Sequence, residues 1–246
     1  MLPSPPDLKA DYGIDAPGIV RTFALGGLVG MILSSIVLRL GESLPSYVQS
    51  ITWALLFMSL TAFLTGLVML WGSRVGKLKL RDRIIAELNL QGTEQVLDVG
   101  CGRGLMLLGI AKQLTTGRAV GIDLWQVQDQ SGNAITTTEE NARRENVAER
   151  VELHTGDMRD LPFEDNRFDV IVSSWAIHNI PTKEGRQQAI QQIHRVLKPG
   201  GKLVLVDISY ITEYQAELHR LGMTALQRRG PTFHFVIPSY QLWCKK

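Results

Sequence analysis

The chain has 246 residues, 45% of them hydrophobic, and a formal net charge of +2. This composition excludes a disordered chain, and the near-neutral balance argues against a nucleic-acid partner, because a phosphate-tracking surface needs a basic excess or a clustered stripe. Two cysteines, Cys101 and Cys244, supply neither a disulfide framework nor a metal-ligand spacing, so no metal is expected.

Residues 1–18 form a polar, Pro-rich segment carrying Asp7, Asp11 and Asp15, where a cleaved signal would begin with a short positive region. The hydrophobicity concentrates just beyond it. No residue from Thr22 to Leu38 or from Ser43 to Ser73 is charged. A span needs about 20 apolar residues to cross about 30 Å of hydrocarbon. The runs at 19–40 and 48–72 therefore predict two transmembrane helices, the first also compatible with a buried core helix. Arg21 and Arg39 flank the first run with stems that reach an interface. Its Gly26, Gly27 and Gly30 let a neighbouring helix come close.

The link from Gly41 to Tyr47, with Glu42 and Pro45, is short enough to force the spans antiparallel, with both outer ends on one side. Arg74, Lys77, Lys79, Arg81 and Arg83 follow the second span, which places that side in the cytoplasm. Tyr47, Trp53 and Trp71 suit the interfaces. The chain is thus expected to be an integral membrane protein with a cytoplasmic domain over 73–246.

From Lys79 onward, short apolar runs alternate with helical periodicity, the pattern of an open and largely parallel sheet. Leu80, Ile84, Ile85 and Leu88 predict an amphipathic helix over 79–90. Strands are expected at 95–100, 119–124, 151–156, 168–174 and 202–208, with two more segments at 223–227 and 234–243. Helices are expected at 105–114, from about 138 to 146, at 183–197 and at 213–221. Pro199-Gly200-Gly201 reads as a turn between helix and strand.

The run Val96-Leu97-Asp98-Val99-Gly100-Cys101-Gly102-Arg103-Gly104 is a strand entering a glycine-rich turn and then a helix. Such a turn lets a ligand touch backbone. Its G-x-G-x-G spacing departs from the dinucleotide fingerprint, and Asp98 would repel a pyrophosphate but not a cation, which disfavours a nicotinamide oxidoreductase.

In these residues, and over roughly 79–208, the chain resembles class I (Rossmann-like) S-adenosylmethionine-dependent methyltransferases. The resemblance implies an α/β fold with a doubly wound, mostly parallel seven-stranded sheet, and S-adenosyl-L-methionine as cofactor. It implies cofactor contacts from Asp98, Gly100, Cys101, Gly102 and Gly104, and ribose recognition by Asp123, with Leu124 beside the adenine. Trp125 either stacks on the base or covers the sheet edge. Gly156-Asp157-Met158 matches the adenine-recognition position, with Asp157 and Met158 as contacts. Ser173 opens the segment through Ile180 that faces the transferred methyl, and Arg195 to Gly201 is close to the family's turn before the fifth strand.

Methyl transfer asks chiefly for alignment, and for a general base only when the acceptor must lose a proton. His178 is the candidate base, or else a loop hydrogen-bonding group, and Trp175 walls the acceptor pocket or fills the core. Two cysteines so placed argue against arsenite methyltransferase chemistry, which uses several thiolates. The expected function is transfer of a methyl group to a small or lipid-like acceptor at the membrane. The alternative is a catalytically silent, membrane-bound cofactor-binding module acting through a partner. The polar loop from Gln126 to Asn133 is a further candidate for specificity or closure.

Overall fold

The computed structural model describes residues 9–41, 44–126, 132–233 and 237–246. Glu42 in the expected link, most of the polar loop after Gln126, and the start of the expected strand at 234 lie outside them. The chain divides into two units, Ile14–Lys77, and Met1–Gly13 with Leu78–Lys246.

The first unit is a helical hairpin. Helix α1 spans Pro17–Leu40 and α2 spans Ser46–Trp71, so both expected helices are present, and each is long and apolar enough to cross a membrane. Only 11% of the most apolar window of each is buried, unlike a core helix of a soluble protein. Small residues set the packing. A Cβ on Gly27 would lie 2.5 Å from Phe63 N, and one on Gly66 would lie 2.7 Å from Ala24 N, an antiparallel register that only glycine permits. Gly30 also meets Ser59, whereas nothing approaches Gly26 within 4 Å. Ser50, Thr52, Thr61 and Thr65 donate their hydroxyls to carbonyls one turn back, which satisfies these polar atoms without water. At the open end, Asp15 N–H donates to Ser73 Oγ at 3.1 Å, and Lys77 Nζ pairs with the Asp15 carboxylate at 3.1 Å.

Beyond α2 the helix does not break. One π-helical turn, Gly72–Gly76, leads directly into α3, Lys77–Leu88. The sheet follows, with β1 Gln95–Val99, β2 Arg118–Asp123, β3 Val151–Thr155, β4 Phe168–Ser174, β5 Leu197–Asp207, β6 Thr224–Thr232 and β7 Ser239–Lys245. The helices between them are α4 Leu105–Ala111, α5 Ile135–Arg144, α6 Lys183–Val196 and α7 Ile211–Arg220.

Spatial order is β3-β2-β1-β4-β5-β7-β6. The first five strands are parallel, and β7 inserts antiparallel between β5 and β6. Alternation along the strands feeds two cores, as a pleat of period two requires. Leu97, Val99, Ile171, Leu203 and Leu205 pack on the face of α6 and α7, while Val96, Val170, Val172, Val204 and Val206 pack on the face of α3 and α4. The order reverses between β1 and β4, and the crevice at the carboxyl ends of strands at such a switch point is where open α/β sheets bind ligands.

Two local expectations are corrected. Pro199-Gly200-Gly201 does not separate helix from strand: β5 begins at Leu197, pairs with Phe168, and carries those residues as a bulge before Lys202 pairs with Val170. The last strand, expected to end at 243, runs on to Lys245 as β7.

Residues 9–13 join the sheet unit. Asp11 pairs with Arg103 at 2.7 Å, and Asn141 donates to the carbonyls of both Asp11 and Arg103. The Tyr12 ring is buried and its hydroxyl donates to Glu145 at 3.0 Å.

Candidate active site

The carboxyl ends of β1, β2 and β4 and the turns that follow them border the crevice. At the end of β1, Asp98 Oδ2 accepts the Leu107 N–H at 2.9 Å, which ties the strand to α4. Asp98 is 2% exposed, and burial, then the charge of Asp123, push its carboxyl up to about 7 against the lowering pull of Leu107 N–H. The turn after it folds back on β2: Gly100 and Cys101 N–H donate to Ile122 O, and Gly102 N–H donates to Asp123 Oδ2 at 2.8 Å.

Gly100 has φ 73°, and a Cβ there would meet Ala176 Cβ at 2.3 Å and Met158 Cε at 3.4 Å. The glycine thus lets the loops after β3 and β4 close on the turn. Gly104, at φ 85°, starts α4.

Asp123 is held from both sides. Its Oδ1 accepts Trp125 N–H at 2.7 Å and Asn133 Nδ2 at 3.2 Å. The Trp125 indole donates to Thr155 Oγ1 at 2.8 Å, which pins the ring beside β3. Leu124 is exposed between them. Asn133 is 4% exposed, and its Oδ1 has no hydrogen-bond partner among the described residues. A buried acceptor left open beside a carboxylate suits a ligand carrying paired hydroxyl donors, as the ribose of S-adenosylmethionine does, so these residues fit that cofactor.

Other expected site residues have partners within the chain. The Asp157 carboxylate accepts Arg159 N–H and Nε at 2.8 to 3.0 Å, and Arg159 holds it below the usual carboxylate range. Ser173 Oγ donates to Val99 O at 2.8 Å, which locks β4 to β1. Cys101 is buried, and burial followed by the charges of Asp98 and Asp123 push its thiol well up. Cys244 lies in the core on the opposite face of the sheet, its thiol pushed up to about 12 by burial. Two protonated thiols on opposite faces cannot act as a thiolate pair.

His178 sits on the 3₁₀ turn after β4, with Nδ1 2.6 Å from Asp207 Oδ1. Sequence reading missed Asp207 and Asn141, and named Asn133 only as the end of the polar loop. For Asp207 a signal existed, since it ends the apolar run of β5 as Asp98 and Asp123 sit at the ends of β1 and β2. Among the described residues, no cluster of three His, Cys, Asp or Glu side chains could hold a metal.

Residues 96–201 match the family model described as a methyltransferase domain. The fold agrees with solved structures: a SAM-dependent methyltransferase from Aquifex aeolicus superposes with a TM-score of 0.54 at 18% identity, covering 67% of this chain and 88% of that one. The [4+2]-cyclase SpnF superposes with a TM-score of 0.58 at 21% identity, covering 69% and 81%. Likenesses at these identities show the fold alone, and the cyclase shows that one fold carries different named activities.

The family match over 96–201 and the shared fold support a class I S-adenosylmethionine-dependent methyltransferase, a family that implies S-adenosylmethionine as cofactor. In sequence it is similar to demethylmenaquinone methyltransferases. That of Lactiplantibacillus plantarum is 34% identical over 130 residues, 52% of this chain and 51% of the relative. That of Lactobacillus johnsonii is 27% identical over 154 residues, 62% and 58%. The chain thus spans only about half the length of these curated relatives.

Proposed function

We propose that this chain is a membrane-anchored methyltransferase that moves a methyl group from S-adenosylmethionine to a lipophilic acceptor of the quinone type. One observation carries the choice of acceptor. Among the described residues of the sheet unit, the exposed large hydrophobic side chains are Leu124, Tyr210, Phe233 and Ile237. Leu124 follows β2, Tyr210 follows β5, Phe233 follows β6, and Ile237 precedes the antiparallel β7. All four therefore lie on the carboxyl edge of the sheet, the edge on which the crevice opens, with Phe233 and Ile237 toward its β6 end. Scattered surface apolar residues need no explanation, but their confinement to one edge marks a binding rim. The names of the curated relatives agree with a quinone acceptor.

S-adenosylmethionine supplies a methyl group on positively charged sulfur, which leaves as a neutral thioether. The residues that would hold it are Asp123 and Asn133 toward the ribose, the turn from Gly100 to Gly104 with Cys101 and Gly102, and Leu124, Asp157 and Met158 toward the base. Asp98 would oppose the positive charge, and Ser173 would act through the β1–β4 frame. His178 would take the proton that an acceptor hydroxyl or ring carbon must lose.

Residues 19–72 would anchor the protein in the bilayer, with the domain over 73–246 on the side marked by Arg74, Lys77, Lys79, Arg81 and Arg83, the cytoplasm. The exposure of both apolar helices and the internal bonding of their hydroxyls support this placement. The test is transfer of labelled methyl by the full chain in nanodiscs, with prenylated demethylmenaquinone compared with its tail-free naphthoquinone. A tail that raises kcat/KM by about tenfold or more, the scale of a few buried methylenes, supports the reading. Equal use of both, or preference for the tail-free compound, contradicts it.

A further inference from the structure

Asp207 closes β5 at the edge where the crevice opens, and it is 2% exposed. Four donors converge on its carboxylate. Oδ1 takes His178 Nδ1 at 2.6 Å and Ile208 N–H at 2.8 Å, while Oδ2 takes His178 N–H and the Tyr214 hydroxyl, each at 3.2 Å. Tyr214 is fully buried in α7, and burial followed by the charge of Asp207 pushes its phenol up, so it remains a donor. The carboxylate is therefore fixed by three elements and cannot turn away from the imidazole.

The imidazole itself is not buried. Its side chain is 21% exposed, and its Nε2 has no hydrogen-bond partner among the described residues. The loop that carries it is held against the cofactor turn, because Ala176, two residues before, packs on Gly100. A histidine bonded at Nδ1 to a buried carboxylate and open at Nε2 beside a reaction site is the arrangement of an oriented general base.

We propose that Asp207 is a positioning residue for the methyl-transfer step: it holds His178 as the Nδ1–H tautomer and so leaves Nε2 as the proton acceptor. This inference rests on the methyltransferase reading above. As the acceptor atom bonds to the methyl carbon, the sulfur–carbon bond breaks and its electron pair stays on sulfur. The acceptor's proton passes to Nε2, and Asp207 faces the imidazolium until that proton leaves to solvent. Tyr214, through its bond to Asp207, is the outer support of the pair.

The test uses the full chain in nanodiscs. Asp207→Asn is expected to lower kcat about 100-fold, with KM for the acceptor and affinity for S-adenosylmethionine within about twofold. His178→Gln should lose as much, and the double variant no more than either alone, as residues acting as a unit do. Asp207→Glu should recover part of the rate. If Asp207→Asn does not fold, Tyr214→Phe keeps the ring and should cost about fivefold in kcat.

Nitrogen NMR of histidine-labelled protein above the imidazole titration reads the tautomer without turnover: Nδ1–H at His178 in the wild type, and Nε2–H gaining in Asp207→Asn. An Nε2–H wild type, Asp207→Asn at full kcat, or losses that multiply in the double variant would overturn the proposal. Wild-type protein that binds cofactor and methylates nothing would instead overturn the functional reading, while the NMR result still decides the role of Asp207.

Discussion

At the scale of single residues, the crevice combines a buried acid with an expected cation, and this has a measurable sign. Asp98 has its carboxyl raised to about 7, so the stabilising effect of keeping it neutral is complete below the ordinary carboxylate range and is lost as pH rises through about 7. A cationic ligand at the glycine turn favours the ionised form and draws that proton off. Affinity for S-adenosylmethionine is therefore expected to rise about tenfold between pH 6 and 8, with release of up to one proton. Calorimetry in two buffers of different ionisation enthalpy measures both, and Asp98→Asn should flatten the profile. A wild-type affinity indifferent to pH would separate Asp98 from the ligand's charge.

Much of this site is legible in sequence because its parts are local. A glycine-rich turn directly after an apolar strand places Asp98, Gly100, Cys101 and Gly102 within a few residues of each other, and an acid ending the next strand places Asp123. What cannot be read is what these side chains choose as partners. Asp157 turns to Arg159 only two residues away, and Ser173 spends its hydroxyl on β1. His178 and Asp207 are 29 residues apart and meet only because β4 and β5 pair in parallel.

At the scale of elements, helix and strand types follow from hydrophobic periodicity, while boundaries follow from tertiary pairing. Gly72-Ser73-Arg74-Val75-Gly76 has the composition of a break, yet one wide turn carries the helix through it, as single π-turns do. Pro199-Gly200-Gly201 has the composition of a turn, yet Gly200 N–H finds the Lys246 carbonyl across the sheet and the strand absorbs the irregularity.

The hairpin offers a test with an internal control. Gly27→Leu forces a side chain into the backbone of α2 and should destabilise the hairpin by about 1–3 kcal/mol, the usual range for overpacking. Gly26→Leu, with nothing within 4 Å, should change little. Unfolding in mixed micelles of rising dodecyl sulfate content compares them, and equal midpoints would refute the packing described.

At the scale of the whole molecule, the alternation of apolar runs with helical segments was enough to expect an open, largely parallel sheet. The insertion of β7 between β5 and β6 was not legible, because an antiparallel hairpin can add to a sheet edge in either order with the same alternation. Nor was the return of residues 9–13, whose polar composition reads as a solvated tail. Only in three dimensions do Asp11 and Asn141 brace the turn at Arg103.

The crevice at the ends of β1, β2 and β4 is proposed to bind S-adenosylmethionine for methyl transfer. The most direct measurement is calorimetric titration of the full chain in nanodiscs with S-adenosylmethionine and with its demethylated product, wild type beside Asp123→Ala. If Asp123 receives the two ribose hydroxyls as proposed, removing its carboxylate should weaken binding at least about 30-fold, the loss of one or two charge-assisted hydrogen bonds. Saturable one-site binding by the wild type, weakened to that extent in a folded Asp123→Ala, is the expected result. A folded wild-type protein that takes up neither compound, or an Asp123→Ala variant that binds as tightly, would contradict it.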